Sequence, residues 1–389
     1  MTAKPARFTE RPWFSSGPTA KRPGWTPQAL SAAPVGRSNR SKITVGRIKE
    51  ALELTRDILG IPADYQVFMT PASDTGAFEA AMWNLLGLRK VQVVAFENFG
   101  QLWADDAVKH LKLDAEVLSA PYGQLPDLSR IDAEADLIFP WNGTTSGVKV
   151  PDASFISDSH QGLVMCDATS AAFCMDLPWE KLDVTTFSFQ KALGGEAGIG
   201  VLILSSKAVE RLNTFDPGRA IPKVIRLRKG DAADMTILGG DAINTYSFLV
   251  IEDYLDALKW GLREGGLEGL IARCEQNFNY LREWVEATAW IDFVAEKVET
   301  RSTTSVCLKF VDPAIVGQPA DMQAKLAAKI NALLETEGVA YDITGYRAAP
   351  PGLRIWCGCT VDADDICALL PWLEWAYAEA LNQLELSVA

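Results

Sequence analysis

Histidine is nearly absent from this chain: His110 and His160 are its only two. A metal centre built on several imidazoles is therefore excluded. Long apolar runs are missing as well. No stretch of about 18 or more apolar residues occurs, so no transmembrane helix is expected. A basic excess is absent too, because the formal net charge is −13. Neither nucleic acid nor an anionic membrane is an expected partner. The seven cysteines show no framework spacing, which fits reduced thiols rather than disulfides. Cys357 and Cys359 form a C-x-C pair inside an apolar run. They read as small buried hydrophobes on one strand face, so no metal site is expected. Neither a G-x-G-x-x-G nor a G-x-x-x-x-G-K-[ST] phosphate loop is present, which counts against a nucleotide-binding protein. Met1–Thr26 is rich in Pro, Arg and Lys and has no apolar signal-peptide core, so a cytoplasmic location is expected.

What is present is the composition of a folded protein, with 48% hydrophobic and 22% charged residues. At 389 residues the chain is too long for one ordinary core, and two domains are expected. After an extended, proline-punctuated arm, Ile43–Leu59 carries helical spacing. Short apolar runs then alternate with helical patterns. Strands are expected at Gln66–Thr70, Val91–Phe96, Leu137–Trp141, Gly162–Asp167, Val184–Phe189 and Ile199–Leu204. Helices are expected at Phe78–Leu86 and Leu102–Leu111. Such alternation, with nearly continuous apolar strands, predicts an α/β fold around a mostly parallel mixed sheet buried on both faces. Tyr246–Ala287 reads as helical with a break at Gly265-Gly266. Beyond it, strands at Ser305–Phe310 and Leu353–Cys357 alternate with helices at Ala320–Glu337 and Ala363–Glu385, a smaller α+β domain. The expected division is a large domain over 25–265, and a small domain over 266–389 that also takes the arm 1–24.

Ligands on parallel sheets sit beyond the C-terminal strand ends, and the polar clusters fall there. A β-rich run ends at Gln190-Lys191, with Gly194 and Gly195 following. A lysine at that point would face the ligand cleft, and burial would lower its pKa and free the amine to form an imine with an aldehyde. A surface lysine in a turn fits the local motif equally well. Asp167 ends the apolar run Leu163–Cys166, 24 residues earlier. A carboxylate there needs a partner, and a protonated pyridine nitrogen is a suitable one; a plain helix cap is the other reading. The joint pattern suits pyridoxal phosphate (PLP), whose cationic ring accepts electrons from a carbanion. Ser73, Asp74 and Thr75 open a helix whose free amides suit a phosphate. Asp74 is expected to cap that helix and face away. Trp103 could stack on a pyridine face, and Thr144 could reach the ring oxygen. The acidic run Asp362, Asp364 and Asp365 reads as a helix start.

Taken in order, Phe14-Ser-Ser16-Gly-Pro-Thr, Ser38-Asn-Arg40-Ser, Asn142-Gly-Thr144, Asp167-Ala-Thr-Ser, Phe189-Gln-Lys191 and Gly345-Tyr-Arg347 resemble the phosphoserine aminotransferases, PLP enzymes of fold type I and class V. The likeness runs from about residue 13 to the C-terminus, and the ordered set is specific to the family. The resemblance implies an aspartate aminotransferase-like fold. By it, Lys191 is the Schiff-base lysine, Asp167 the pyridinium partner and Trp103 the stacking ring. Thr144 and Gln190 become cofactor contacts, and Ser73, Asp74 and Thr75 sit at its phosphate. Asn244 and Thr245 resemble a pair that reaches the phosphate from the second subunit, which implies a homodimer. Ser16 and Arg40 resemble substrate-side residues. Arg347 resembles the arginine for a substrate phosphate, and Arg354 the one that grips the α-carboxylate, both tasks for a planar guanidinium. Many members carry histidine where this chain has Asn39 and Tyr346, which alters the phosphate pocket.

The expected reaction is transamination between O-phosphoserine and 2-oxoglutarate, in serine synthesis and also toward pyridoxine. A second reading keeps PLP but takes alanine, serine or aspartate with another keto acid. A third is a colourless ligand-binding α/β protein with no lysine adduct.

Overall fold

The computed structural model describes residues 3–386. The first two residues of the expected arm and the last three of the expected small domain fall outside these.

Seven strands make the main sheet: β1 (Gln66–Pro71), β2 (Val91–Ala95), β3 (Ala115–Ser119), β4 (Asp136–Pro140), β5 (Val164–Asp167), β6 (Val184–Ser188) and β7 (Ile199–Leu204). Their spatial order is β1-β7-β6-β5-β4-β2-β3. The β2, β3, β4, β5 and β6 pairings are parallel, and β7 is antiparallel to both its neighbours, β1 and β6. Strands β2, β4, β5, β6 and β7 are buried along their whole length. That explains their unbroken apolar runs, since helices cover both faces of a parallel sheet. The expected mostly parallel mixed sheet is therefore present. Strand β3 escaped the sequence reading because Ala115-Glu116-Val117 alternates weakly at the sheet edge, where it is half-exposed.

The longer helices are α1 (Lys42–Leu59), α2 (Ser73–Leu85), α3 (Asn98–Asp105), α4 (Ser206–Thr214), α5 (Phe248–Arg263), α6 (Gly266–Ala287), α7 (Ala320–Thr336) and α8 (Ala363–Gln383). The break between α5 and α6 falls where two glycines take left-handed φ angles of 102° and 67° at Gly265 and Gly266. Two helices depart from expectation. Helix α2 starts at Ser73, not Phe78, so the polar Ser-Asp-Thr-Gly segment is its first turn. Helix α3 starts at Asn98 and gives way after Asp105 to a wider turn over Asp106–His110. Asp362 precedes α8, with Asp364 and Asp365 in its first turn.

A second sheet has three antiparallel strands, β8 (Ile291–Phe293), β9 (Ser305–Phe310) and β10 (Gly352–Trp356). Its core includes Leu281, Val285, Leu308, Ile330, Ile355 and Trp372, together with Phe14 from the arm. The first half of α6 packs elsewhere: Leu270 and Cys274 belong to the core on one face of the main sheet. Cys357 and Cys359 do not share a strand face, because β10 ends at Trp356. Cys357 joins the small core and Cys359 the large one.

The arm joins the two parts. Trp13 bridges Tyr341, and Phe14 O accepts from Trp356 N at 3.0 Å. Five residues on, Thr19 N donates to Gln190 O at 3.0 Å and its hydroxyl to Lys191 O at 2.6 Å. Among the described residues no helix is long and apolar enough to cross a membrane.

Candidate active site

The C-terminal ends of β1, β4, β5 and β6 open into one cavity of about 150 Å³. Ser73, Asp74, Thr75, Trp103, Thr144, Asp167, Gln190 and Lys191 all line it. Residues spread over more than a hundred sequence positions meet because parallel strands place all their exits on one edge.

Lys191 follows β6 in a tight turn, with Gly194 N donating to Lys191 O at 2.7 Å and Gly195 N to Phe189 O at 2.9 Å. Its amine donates to Ser16 O at 2.6 Å. Gly17 permits this approach, since a Cβ there would lie 2.1 Å from Lys191 Nζ. Burial, and then the Arg354 guanidinium, push the Lys191 amine down to about 8, against the pull of Asp167, Asp74 and Glu97. A lysine so placed gives up its proton far more readily than an exposed one, and a nucleophilic amine must be neutral.

Asp167 is 7% exposed. Its Oδ2 accepts from Trp103 Nε1 at 3.0 Å and its Oδ1 from Thr169 N at 3.0 Å. These two donors hold the carboxylate in one orientation at the cavity floor. Trp103 also packs on Phe78, ring centroids 4.5 Å apart. The indole–carboxylate bond was not readable from sequence, where the two residues lie 64 positions apart.

At the cavity's other side the chain enters α2 through Ala72 and Ser73, both left-handed at φ 68° and 61°. Two consecutive non-glycine residues in this region are strained, and such strain gathers at binding sites. Gly76 draws the helix start against β1, because a Cβ there would meet Pro71 O at 2.0 Å. The Ser73 hydroxyl accepts from Gln190 Nε2. Asp74 does not cap the helix as expected. No side chain caps α2, and Asp74, 7% exposed, lines the cavity with its Oδ1 buried and without a partner. Burial, and then the nearby Asp167 charge, hold its carboxyl well above the usual range.

Glu97 was missed by the sequence reading. It caps α3, accepting from Gly100 N at 2.8 Å, and its second oxygen accepts from the Thr145 hydroxyl at 2.7 Å. Burial outweighs these donors and raises it to about 7. The available signal was an acidic residue directly after an apolar strand and three residues before a glycine, the pattern of a helix cap.

The fit to PLP can be tested on these residues. Asp74 Oδ1, Asn142 Oδ1, Thr169 Oγ1, Ser188 Oγ and Gln190 Oε1 are buried beside or on the cavity wall without a protein partner. Orphaned buried polar atoms are rare and mark a site built for a polar ligand. An amine, a carboxylate, an indole and a helix start around one space match the aldehyde, the ring nitrogen, the ring face and the phosphate of PLP.

The substrate-side expectations divide in the structure. Arg347 and Arg354 line an adjoining open groove of about 1000 Å³ with Ser15, Gly17 and Tyr346. Both guanidinium groups lie near the Tyr346 ring, at 6.0 and 5.7 Å. Tyr346 in turn packs on Phe99 of the cavity wall, centroids 5.9 Å apart. Ser16 is 1% exposed, and its hydroxyl accepts from Ser305 Oγ at 3.0 Å, so its backbone rather than its side chain meets Lys191. Arg40, Asn244 and Thr245 are not brought to the Lys191 cavity of their own chain. They line a separate surface depression with Asn39, whose Oδ1 accepts from Tyr246 N at 3.2 Å.

Comparison with known proteins agrees with this geometry. Residues 30–350 match the family model described as aminotransferase class-V. Over 375 residues the chain is 50% identical to a phosphoserine aminotransferase of Methanosarcina mazei, covering 96% of this chain and 99% of that one. Among solved structures, a phosphoserine aminotransferase from Cytophaga hutchinsonii superposes with a TM-score of 0.80 at 21% identity, covering 94% and 98%. A PLP-bound phosphoserine aminotransferase from Trichomonas vaginalis does so with a TM-score of 0.75 at 19% identity, covering 94% and 100%. The chain belongs to the class-V aminotransferases and, among them, to the phosphoserine aminotransferases, PLP-dependent transaminases.

Proposed function

We propose that this enzyme moves the amino group between O-phospho-L-serine and 2-oxoglutarate, giving 3-phosphohydroxypyruvate and L-glutamate in serine biosynthesis. The phosphorylated threonine analogue of pyridoxine synthesis would be a second substrate. One observation carries the reading: Lys191 and Asp167 share one cavity whose neighbouring groove carries two arginines.

The bound cofactor supplies an electron sink for negative charge at the substrate Cα. Lys191 Nζ, whose proton is loosened by burial, takes the Cα proton and returns it. Asp167, oriented by Trp103 and Thr169, holds a proton on the ring nitrogen. The α2 start, with Ser73, Thr75 and the cavity-lining Asp74, would hold the cofactor phosphate, and Gln190 steadies Ser73. Thr144, whose hydroxyl donates to Ser170 Oγ at 2.8 Å, would hold the ring oxygen. Arg354 takes the α-carboxylate and Arg347 the substrate phosphate.

We further infer a homodimer with shared sites, because exposed Arg40, Asn244 and Thr245 cluster away from the Lys191 cavity. We place the enzyme in the cytoplasm, which accords with seven unpaired cysteines. The large and small domains are assigned to 25–265 and to 266–389 plus the arm.

The test is turnover and visible absorption with O-phosphoserine and serine. Lys191→Ala is expected to abolish turnover and the colour of the lysine-bound cofactor. A phosphate-built pocket should prefer phosphoserine by on the order of 10⁴-fold in kcat/KM. Equal use of serine, or faster use of alanine, would move the assignment to another class-V substrate, and a colourless Lys191 protein would remove it.

A further inference from the structure

Three cysteines from three distant segments converge behind the lysine turn. Cys174 lies in the loop after β5, Cys274 on α6 and Cys359 just past β10. Their sulfurs all lie within 4.8 Å of one another. Exposure is 1% at Cys174 and 0% at the other two. Cys166, Cys307 and Cys357 are also buried but stand outside the group, so burial of thiols does not by itself gather them.

The segment carrying Cys359 is clamped to α6. Arg273 Nε donates to Cys359 O at 2.7 Å, and Asn277 Nδ2 donates to Val361 O at 2.9 Å. Gly358 has no room for a side chain, since a Cβ would lie 2.3 Å from the Trp356 ring. The Cys359 sulfur also reaches Ala192 O at 3.1 Å, the residue next to Lys191. The helix neighbours of Cys274 thus fix the backbone of Cys359, the kind of outer support that orients metal ligands.

A metal–thiolate bond of about 2.3 Å places three sulfurs around one ion about 4 Å apart, which fits this spacing. Among the described residues no imidazole or carboxylate joins the three. An all-sulfur donor set selects soft ions, and zinc in structural sites takes four ligands. We propose that Cys174, Cys274 and Cys359 form a three-thiolate site for a soft monovalent cation, copper(I), that ties the post-β5 loop, α6 and the post-β10 turn together behind the cofactor lysine. Binding replaces the thiol protons, which leave to solvent, and changes no oxidation state. The enclosed position means that the ion enters as these segments close during folding, or through a transient opening between them.

The experiment loads the full-length, PLP-replete enzyme with copper(I) under reducing, anaerobic conditions and challenges it with a chromophoric copper(I) chelator. One copper per chain should be retained, with X-ray absorption showing three sulfurs at about 2.3 Å and a raised Tm. Cys274→Ala and Cys359→Ala should lose retention, while Cys357→Ala, equally buried but outside the group, should keep it. The proposal is overturned if the wild-type protein yields its copper to the chelator, if fewer than three sulfurs surround the ion, or if Cys274→Ala retains copper as well as wild type. Should the alanine variants fail to fold, the sulfur count on the wild-type protein decides.

Discussion

At the scale of single residues, the site works by placing ionisable groups where water cannot serve them. Lys191 is the clearest case. Its amine sits at about 8 rather than 10.5 because burial and Arg354 disfavour the charge. Only the neutral amine attacks an aldehyde, so cofactor uptake by the PLP-free enzyme should quicken about tenfold per pH unit below about 8 and level off above it. Stopped-flow absorbance over pH 6–9, as a roughly chosen window around that value, reads this directly. A pH-independent rate would show that deprotonation of Lys191 is not limiting. Glu97 runs in the opposite sense. Its carboxyl is raised to about 7 from 4.5 by burial. The folded state therefore holds a proton that the unfolded state has released between those values. The stabilisation is full below 4.5 and lost as pH rises through about 7, worth about 3 kcal/mol. Glu97→Gln should flatten that fall in denaturant titrations at pH 5 and 8, and parallel pH profiles for the two proteins would refute it. Lys191 and Asp167 were legible in the sequence because each stands where an apolar strand gives way to polar residues, and Trp103 because it follows a strand in a polar-flanked segment. Glu97 and Gly17 were not, since their roles depend on what packs against them: Thr145 for one, the Lys191 amine for the other.

Elements decide the geometry through their ends. Helix α2 starts five residues earlier than its hydrophobic pattern suggests, because a first turn of Ser, Asp, Thr and Gly carries no apolar period. That early start turns Asp74 from a cap into a cavity residue. The sheet entrance opposite the site is pinned differently. Arg211 of α4 makes a paired contact with Asp136 at the start of β4, Nη1 to Oδ2 at 3.0 Å and Nη2 to Oδ1 at 3.2 Å, and Asp136 is fully buried. Asp136 also accepts from Leu163 N at 2.7 Å and so aligns β5 with β4. Removing the guanidinium leaves an uncompensated buried carboxylate. Arg211→Met should cost about 3–5 kcal/mol in urea unfolding, while kcat per folded molecule stays near wild type, because the pair lies at the strand starts and the site at their ends. A loss under about 1 kcal/mol would mean that water reaches Asp136.

For the whole molecule, the consequence of separating Arg40, Asn244 and Thr245 from Lys191 is a test by mixing. If each site takes Lys191 from one subunit and Asn244 from the other, Lys191→Ala and Asn244→Ala proteins are each inactive alone. Their mixed dimer carries one wholly native site, so after random exchange activity should recover to about a quarter of wild type. No recovery, with exchange verified by mass, would place Asn244 in its own subunit's chemistry or outside it. The sequence by itself determined the alternation of strands and helices, the mostly parallel sheet and the strand-end residues, because periodicity and polarity are local properties of the chain. The tertiary structure alone decided that Asp167 accepts from the Trp103 indole, that the arm's Ser16 carbonyl receives the Lys191 amine, that Asp74 faces inward, and that Cys359 leaves Cys357 to meet Cys174 and Cys274. Each of those facts is a contact between segments distant in sequence, set by which strand lies beside which, and no local pattern encodes that order.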